Sequence, residues 1–565
     1  MPLSKSGTLS RLAHICYFGC IAGIFSVSAP ATTYAVDPVT FHGFDESSMS
    51  AEAKAGMDEI FSGRMFHNAM PLNAIEPMQK MRPQPKEDLG YDPTSPEGRY
   101  YSGDSIPAPE FRPSGTPLGL SVFERNGVTL RNANCFQCHA GVVNGQVVSG
   151  LGNNRSIPPR PPTGMAKVMF TSMVSAALKT DSEKAEFRQF MKGVMAGSLR
   201  LPEVTNRGDH FGAFEVWSLG ARLANPEKTG LLIGEERTDL VKLVESTKLP
   251  PINPMPWWLV KYKTRNYWYS DAGPFEANSF AVNFTVAHAE VNQNHAVHIE
   301  STAKALAFVR ETQSPVFPES LDADLVSQGA DIFHGRTRPA ISKGFIACKN
   351  CHGSYTRKDS NSDLSVPGSW NVSYGHSDKF RNVNTDSAYN DVLQRFRPVV
   401  AHLNKVNTYF EAQGTPELAA SASVPDRKGY VAPPLVGVWA TAPYFHNGSA
   451  PSVTDVLNSK ERPEIWTWNF GDPHAYDLER VGLEYQSLTR SEYEAGAAEA
   501  ARSHERSRAA IDHRARYDTT SYGRANTGHK FGDSLSNDER TAVIEFLKSL
   551  SGPDMDPLHR SVVQN

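Results

Sequence analysis

The sequence predicts a mainly α fold of two lobes with long, loop-rich connections and inserts. Three observations carry that expectation. A C-x-x-C-H motif occurs twice, in "NANCFQCHAG" at residues 133 to 142 and in "IACKNCHGSY" at 346 to 355. Each follows an amphipathic stretch of helical period that ends in an apolar-aromatic pair, "AEAKAGMDEIFSGRMF" (51 to 66) and "DADLVSQGADIFHGR" (322 to 336). No long series of alternating strands is readable around them.

The chain has 565 residues, too many for one ordinary core and suited to two or three domains. Its composition is that of a globular protein, 39% hydrophobic and 21% charged, and a formal net charge of -4 gives no footprint for nucleic acid. The 42 glycines and 39 prolines predict many irregular connections. Residues 1 to 35 read as a signal peptide: Lys5 and Arg11 precede "LAHICYFGCIAGIFSVSA", and small residues surround a cleavage point after Ala35. An uncleaved membrane anchor is the rival reading, and a lipoprotein at Cys20 is disfavoured because "YFGC" is a poor lipobox. The expectation is a periplasmic or secreted protein with no membrane insertion after cleavage. The two prolines of "TQSPVFPES" and the restart of the helical pattern divide the rest into an N-terminal domain, 36 to 318, with an aromatic insert, and a C-terminal domain, 319 to 565.

Export sharpens the meaning of the cysteines. Of six, Cys16 and Cys20 fall in the leader, and Cys135, Cys138, Cys348 and Cys351 all belong to the two motifs. A redox dithiol has no need of the adjacent histidine. A structural zinc site would have to gather four ligands across 348 minus 135, or 213, residues. Covalent c-type haem attachment accounts for every feature: two thiols add to the two vinyl groups on one edge of the porphyrin, and the next imidazole falls under the iron. The expected cofactors are two haems c, one on Cys135, Cys138 and His139, the other on Cys348, Cys351 and His352.

Helical period continues in "KVMFTSMVSAALKTDSEKAEFRQFMKGVMAG" and in the closing "SNDERTAVIEFLKSL". Residues 485 to 527 are polar and charged, and read as a solvated helix plus loop. The stretch 257 to 284 is rich in Trp, Tyr and Phe; such residues are most often core, and the sharper alternative is a water-poor wall over an iron.

Two C-x-x-C-H sites in one chain, together with "YVAPPLVGVWATAPYFHNGSAPSVTDVL" (430 to 457), resemble the bacterial di-haem cytochrome c peroxidase superfamily. The block "PWWLVKYKTRNYWYSDAG" (256 to 273) and the late "GHKFGDSLSNDERTAVIEFLKSL" (528 to 550) are similar to its rubber oxygenase branch, whose members cleave polyisoprene with dioxygen. The resemblance implies two cytochrome c-like haem lobes. It implies His529 as second axial ligand of the C-terminal haem, with His446 as the rival, and an N-terminal haem left open for O2. By the same resemblance Phe284 (or Phe280) matches the distal phenylalanine and Trp268 the nearby tryptophan. A Ca2+ ion between the lobes would also be in keeping with the superfamily, although no calcium loop is readable here.

Peroxidases of this superfamily carry a distal histidine shortly after the first motif, to move a proton between peroxide oxygens. No histidine stands between His139 and His210, so that role would fall to a glutamate or Arg155. The expectation is an oxidoreductase whose N-terminal haem activates O2 or H2O2 while the C-terminal haem relays electrons, with an apolar organic substrate and a small redox partner protein as candidate partners. A cytochrome c peroxidase and a non-catalytic electron carrier are the alternatives.

Overall fold

Two Asn-Gly dipeptides shape the region around the first motif. Asn126 and Gly127 take φ of 53° and 70°, and Asn144 and Gly145 take 45° and 71°. Left-handed backbone at both central positions is what a tight two-residue hairpin of type I′ demands. The first turn joins the strands Leu120–Arg125 and Val128–Ala133, the second joins Ala140–Val143 and Gln146–Ser149. Met70–Pro71 adds to the first hairpin and Thr40–His42 to the second, giving two three-stranded sheets. Between the hairpins lies the one-turn 3-10 helix Cys135–Gln137, capped by the Asn134 side chain.

The computed structural model describes residues 40–42, 49–63, 69–75, 116–154, 172–198, 243, 246–248, 250–264, 291–337, 345–375, 379–403, 411, 423–424, 426–469, 472–502, 508–552 and 555. Among them 40% are helical and 16% lie in strands, so the fold is mixed α/β. This corrects the mainly α expectation. The strands are two to six residues long and scattered over six small sheets, too short for period-two alternation to stand out in a sequence.

Two helix pairs hold the motif regions. Ala51–Ser62 packs on Val291–Glu311, and Ala323–Phe333 packs on Asn537–Ser549. Each crossing is made at a glycine. A Cβ on Gly56 would collide with the Lys304 carbonyl, and one on Gly329 with the Ala542 carbonyl. Asp322 caps Ala323–Phe333, and Ser536 with Glu539 forms a capping box on the closing helix. The segment read as a solvated helix plus loop instead holds two helices, Arg490–Arg502 and Arg508–Arg514, between the short strands Tyr485–Ser487 and Arg516–Asp518.

Apolar side chains form two main clusters. One, with Met57, Ile60, Phe136, Trp257 and Phe308, joins the first helix pair to the first motif. The larger one runs from Val143 and Val148 through Trp258 and Phe333 to Phe546 and Met555, so residues of the N-terminal sheet share a core with the C-terminal half. Among the described residues no helix is long and apolar enough to cross a membrane.

Candidate haem sites

The second motif is helical. Cys348 opens the turn Lys349–His352, and Gly353, at φ 82°, ends it. His352 sends Nδ1 to the Pro433 carbonyl at 2.8 Å, which leaves Nε2 as the free ligating nitrogen. The Tyr355 hydroxyl donates to the His352 carbonyl at 3.2 Å and accepts the Leu435 N–H at 2.7 Å, so the turn is fastened to the segment that holds Pro433. Burial lowers the proton affinity of His352, which keeps the imidazole in its neutral, ligating form.

His529 faces His352 across the same cavity. Their ring centres are 6.1 Å apart, with planes at 64°. An imidazole bound through one nitrogen places its centre about 3 Å from a metal, given a metal–nitrogen bond of about 2 Å and a ring radius of about 1 Å. Two such rings on opposite sides of one ion are therefore about 6 Å apart, and each is free to twist about the common axis. Burial brings the His529 proton affinity down to about 3, again favouring the neutral ring. Its Nδ1 is buried without a hydrogen-bond partner, and the Val456 backbone acts against the lowering of its proton affinity.

A cavity of about 230 Å³ takes in Cys348, Cys351, His352 and His529, between walls that include Pro434, Leu435 and Phe445. Two thiols beside one imidazole, a second imidazole at two-ligand spacing and an apolar enclosure are the donor set of a covalently held haem with two histidine ligands. The residues present fit that group. His446, the rival ligand, lines the same cavity, but its ring stacks on Tyr430 at 4.2 Å; the ring opposite His352 is that of His529.

The first motif lies in a different setting. His139 follows the 3-10 turn at the start of the second hairpin, and its carbonyl accepts the Gly150 N–H. Its imidazole is buried, which brings its proton affinity down to about 4, and it stacks on Trp257 with ring centres 5.1 Å apart at 29°. Trp257 also touches Phe136, one of the two residues between the cysteines, and Phe308 of the long helix. Among the described residues no second imidazole faces His139 at the spacing seen for His352. Trp268, Phe280, Phe284 and Arg155 lie outside the described residues.

All four motif cysteines are free of disulfides. Burial pushes the Cys135 and Cys348 thiols up to about 12. Cys135 packs with the first apolar cluster and Cys348 with the second, and among the described residues no group of three or more His, Cys, Asp or Glu forms a metal cage. The described residues thus do not assemble the four-cysteine zinc site. Sequence reasoning missed the Pro433 carbonyl, which is backbone and leaves no residue-type signal. Trp257 belongs to the aromatic stretch read either as core or as a wall over an iron, and it lies against His139.

Comparisons with known proteins bear on the segment that builds the cavity wall. A family model described as RoxA-like, cytochrome c-like matches residues 429–467, which include Pro433, Phe445, His446 and the short helix Val453–Leu457. The chain is 33% identical over 132 residues to the uncharacterized protein y4iJ of Sinorhizobium fredii (strain NBRC 101917 / NGR234), a stretch covering 21% of this chain and 18% of that protein. It is 46% identical over 66 residues to the uncharacterized protein y4iM of the same organism, covering 12% of this chain and 15% of that one. Both matches thus span less than a fifth of the relatives' length. One cytochrome c-like domain is matched where two were expected. The match includes neither C-x-x-C-H motif, and the first motif lies between two hairpins. Residues 429–467 are thus similar to a RoxA-like, cytochrome c-like domain, a likeness that implies a haem c cofactor.

Proposed function

We propose that the chain is an exported haem oxidoreductase carrying two covalently attached haems c, which uses O2 on an apolar organic substrate in the manner of the rubber oxygenase-like enzymes. The observation that carries the reading is the 6.1 Å opposition of His352 and His529. A haem bound there would be held by both His352 and His529 and would be suited to relaying electrons, whereas reaction with O2 would need a position left open. That division assigns the reactive role to the haem on His139. The bound groups supply the electron and oxygen chemistry.

The chain's own residues supply the setting. Cys348 and Cys351 anchor one group and Cys135 and Cys138 the other. Pro433 orients His352, and Trp257 lies against His139. Mostly apolar walls line the cavity beside His352. Trp268 and Phe284 are proposed to line the O2 side, and the leader at 1 to 35 supports a periplasmic or secreted location.

The test is turnover and ligand binding on the purified holoprotein. CO added to the reduced protein is expected to shift one haem and leave the other, and O2 uptake is expected on a polyisoprene latex or an oligoisoprenoid. A spectrum untouched by CO would make the chain an electron carrier. Brisk peroxide-dependent oxidation of a reduced cytochrome, with no O2 uptake on any alkene, would make it a peroxidase.

A further inference from the structure

Arg462 uses every hydrogen it can donate. Its Nε donates to the Asp455 carbonyl at 2.8 Å, Nη1 to the carbonyls of Asn526 and Gly528 at 2.7 Å each, and Nη2 to those of Val456 and His529 at 3.0 and 3.1 Å. A guanidinium has five N–H donors in one plane, and all five end here on backbone oxygens. The acceptors belong to two segments, the helix Val453–Leu457 and the loop 526–529. Carbonyls at a helix end lack partners within the helix and favour a cation. Among the described residues no carboxylate lies within ion-pair distance of Arg462, although Asp533 and Asp455 act on it electrostatically, and its guanidinium lies over the Phe445 ring at 5.0 Å. Phe445 in turn borders the His529 ring at 5.9 Å.

The loop requires such a clamp. Gly528 and His529 take φ of 72° and 45°, both left-handed. For a residue with a Cβ that conformation is uncommon, and it persists where the surroundings over-determine it. The His529 N–H is fixed by the Val383 carbonyl at 2.9 Å, and the carbonyl side is fixed by Arg462.

We propose that Arg462 is the positioning residue for the sixth ligand: it ties the loop 526–529 to the end of Val453–Leu457, so that the His529 imidazole is presented opposite His352, and its shielded charge favours the reduced iron. The inference rests on the bis-histidine reading given above. The charge effect follows because a nearby cation in a low-dielectric setting disfavours the more positive of two oxidation states. Lysine keeps the charge but offers a compact ammonium in place of the planar fork, so position and charge can be separated.

The experiment compares the full-length holoprotein with H529A, R462M and R462K, reading spin state by absorption and EPR, midpoint potentials by redox titration, and haem content by pyridine haemochrome. R462M is expected to convert part of one low-spin haem to high spin, to recover it with added free imidazole, and to lower the potential of what remains low-spin. R462K is expected to lose low-spin signal as well, with a potential closer to wild type. If H529A leaves the spectra unchanged, the bis-histidine reading falls and takes this inference with it. If H529A removes one low-spin signal while both Arg462 variants keep it in full at the wild-type potential, the role of Arg462 alone is overturned. Should R462M fail to fold or load haem, R462K decides: an unaltered low-spin signal and potential would reject the proposal.

Discussion

Trp257 and Trp258 are consecutive residues whose indoles enter different cores. Trp257 stacks on the His139 ring at 5.1 Å, while Trp258 is fully buried in the larger cluster and donates Nε1–H to the Val436 carbonyl at 2.9 Å. Val436 lies three residues beyond Pro433, whose carbonyl orients His352. One packed run therefore connects the two motif histidines. Replacing Trp257 by Leu is expected to slow electron exchange between the two sites while leaving haem content and both absorption spectra intact. Rapid partial reduction followed by stopped-flow absorbance reads this directly, and an unchanged exchange rate would remove Trp257 from the path.

The His352–His529 spacing makes its own prediction. His529→Ala deletes one of two imidazoles 6.1 Å apart, so one haem loses its low-spin signature and gains a CO-binding position, while the other keeps its spectrum. Low-temperature EPR and CO difference spectra check both halves. His446→Ala, whose ring stacks on Tyr430 and not opposite His352, is expected to leave the low-spin count unchanged.

Both C-x-x-C-H motifs were legible in the sequence because each is a short local pattern with fixed spacing. The lead-in helices were legible too, their apolar faces marking Ala51–Ser62 and Ala323–Phe333. The β content was misjudged although its signal was present: Asn126-Gly127 and Asn144-Gly145, each between short β-prone stretches, are strong hairpin turns. Arg462 could not be read, since an arginine whose partners are all backbone carbonyls leaves no pattern in side-chain types. The pairing of His529 with His352 was implied by the resemblance of the late Gly-His segment and not by local periodicity, which carries no information across so long a separation.

His334 predicts a pH dependence of stability. It is buried, its Nδ1 donates to the Ala330 carbonyl at 2.6 Å, and its Nε2 accepts the Tyr355 N–H at 3.0 Å, which fixes a neutral tautomer. Burial, the largest cause, holds its proton affinity below the ordinary value of about 6.5. As pH falls through that value the unfolded chain takes up a proton that the folded ring resists, so the stability from this site is present at higher pH and lost on acidification. His334→Gln is expected to cost about 1–3 kcal/mol at pH 7.5, the penalty of a disturbed buried N–H. The gap to wild type should narrow toward pH 5.5 in thermal melts. An equal gap at both pH values would show that His334 does not take part in the acid sensitivity.

The glycine crossings allow packing to be tested against function. Alanine at Gly329 places its Cβ against the Ala542 carbonyl and 2.8 Å from the Phe546 Cβ, atoms that cannot swing away as a flexible side chain would. The expected cost is about 1–3 kcal/mol, read as a lower melting temperature. Phe546 packs on Phe333, Tyr355 and Trp370, and Tyr355 is hydrogen-bonded to the His352 carbonyl, so the displaced helix disturbs the second motif. Gly56→Ala makes the matching collision with the Lys304 carbonyl, beside Phe308 and the first motif. Both variants should lose stability. Only Gly329→Ala should broaden or shift the low-spin signal assigned to His352 and His529, and equal spectral effects from the two would refute this local coupling.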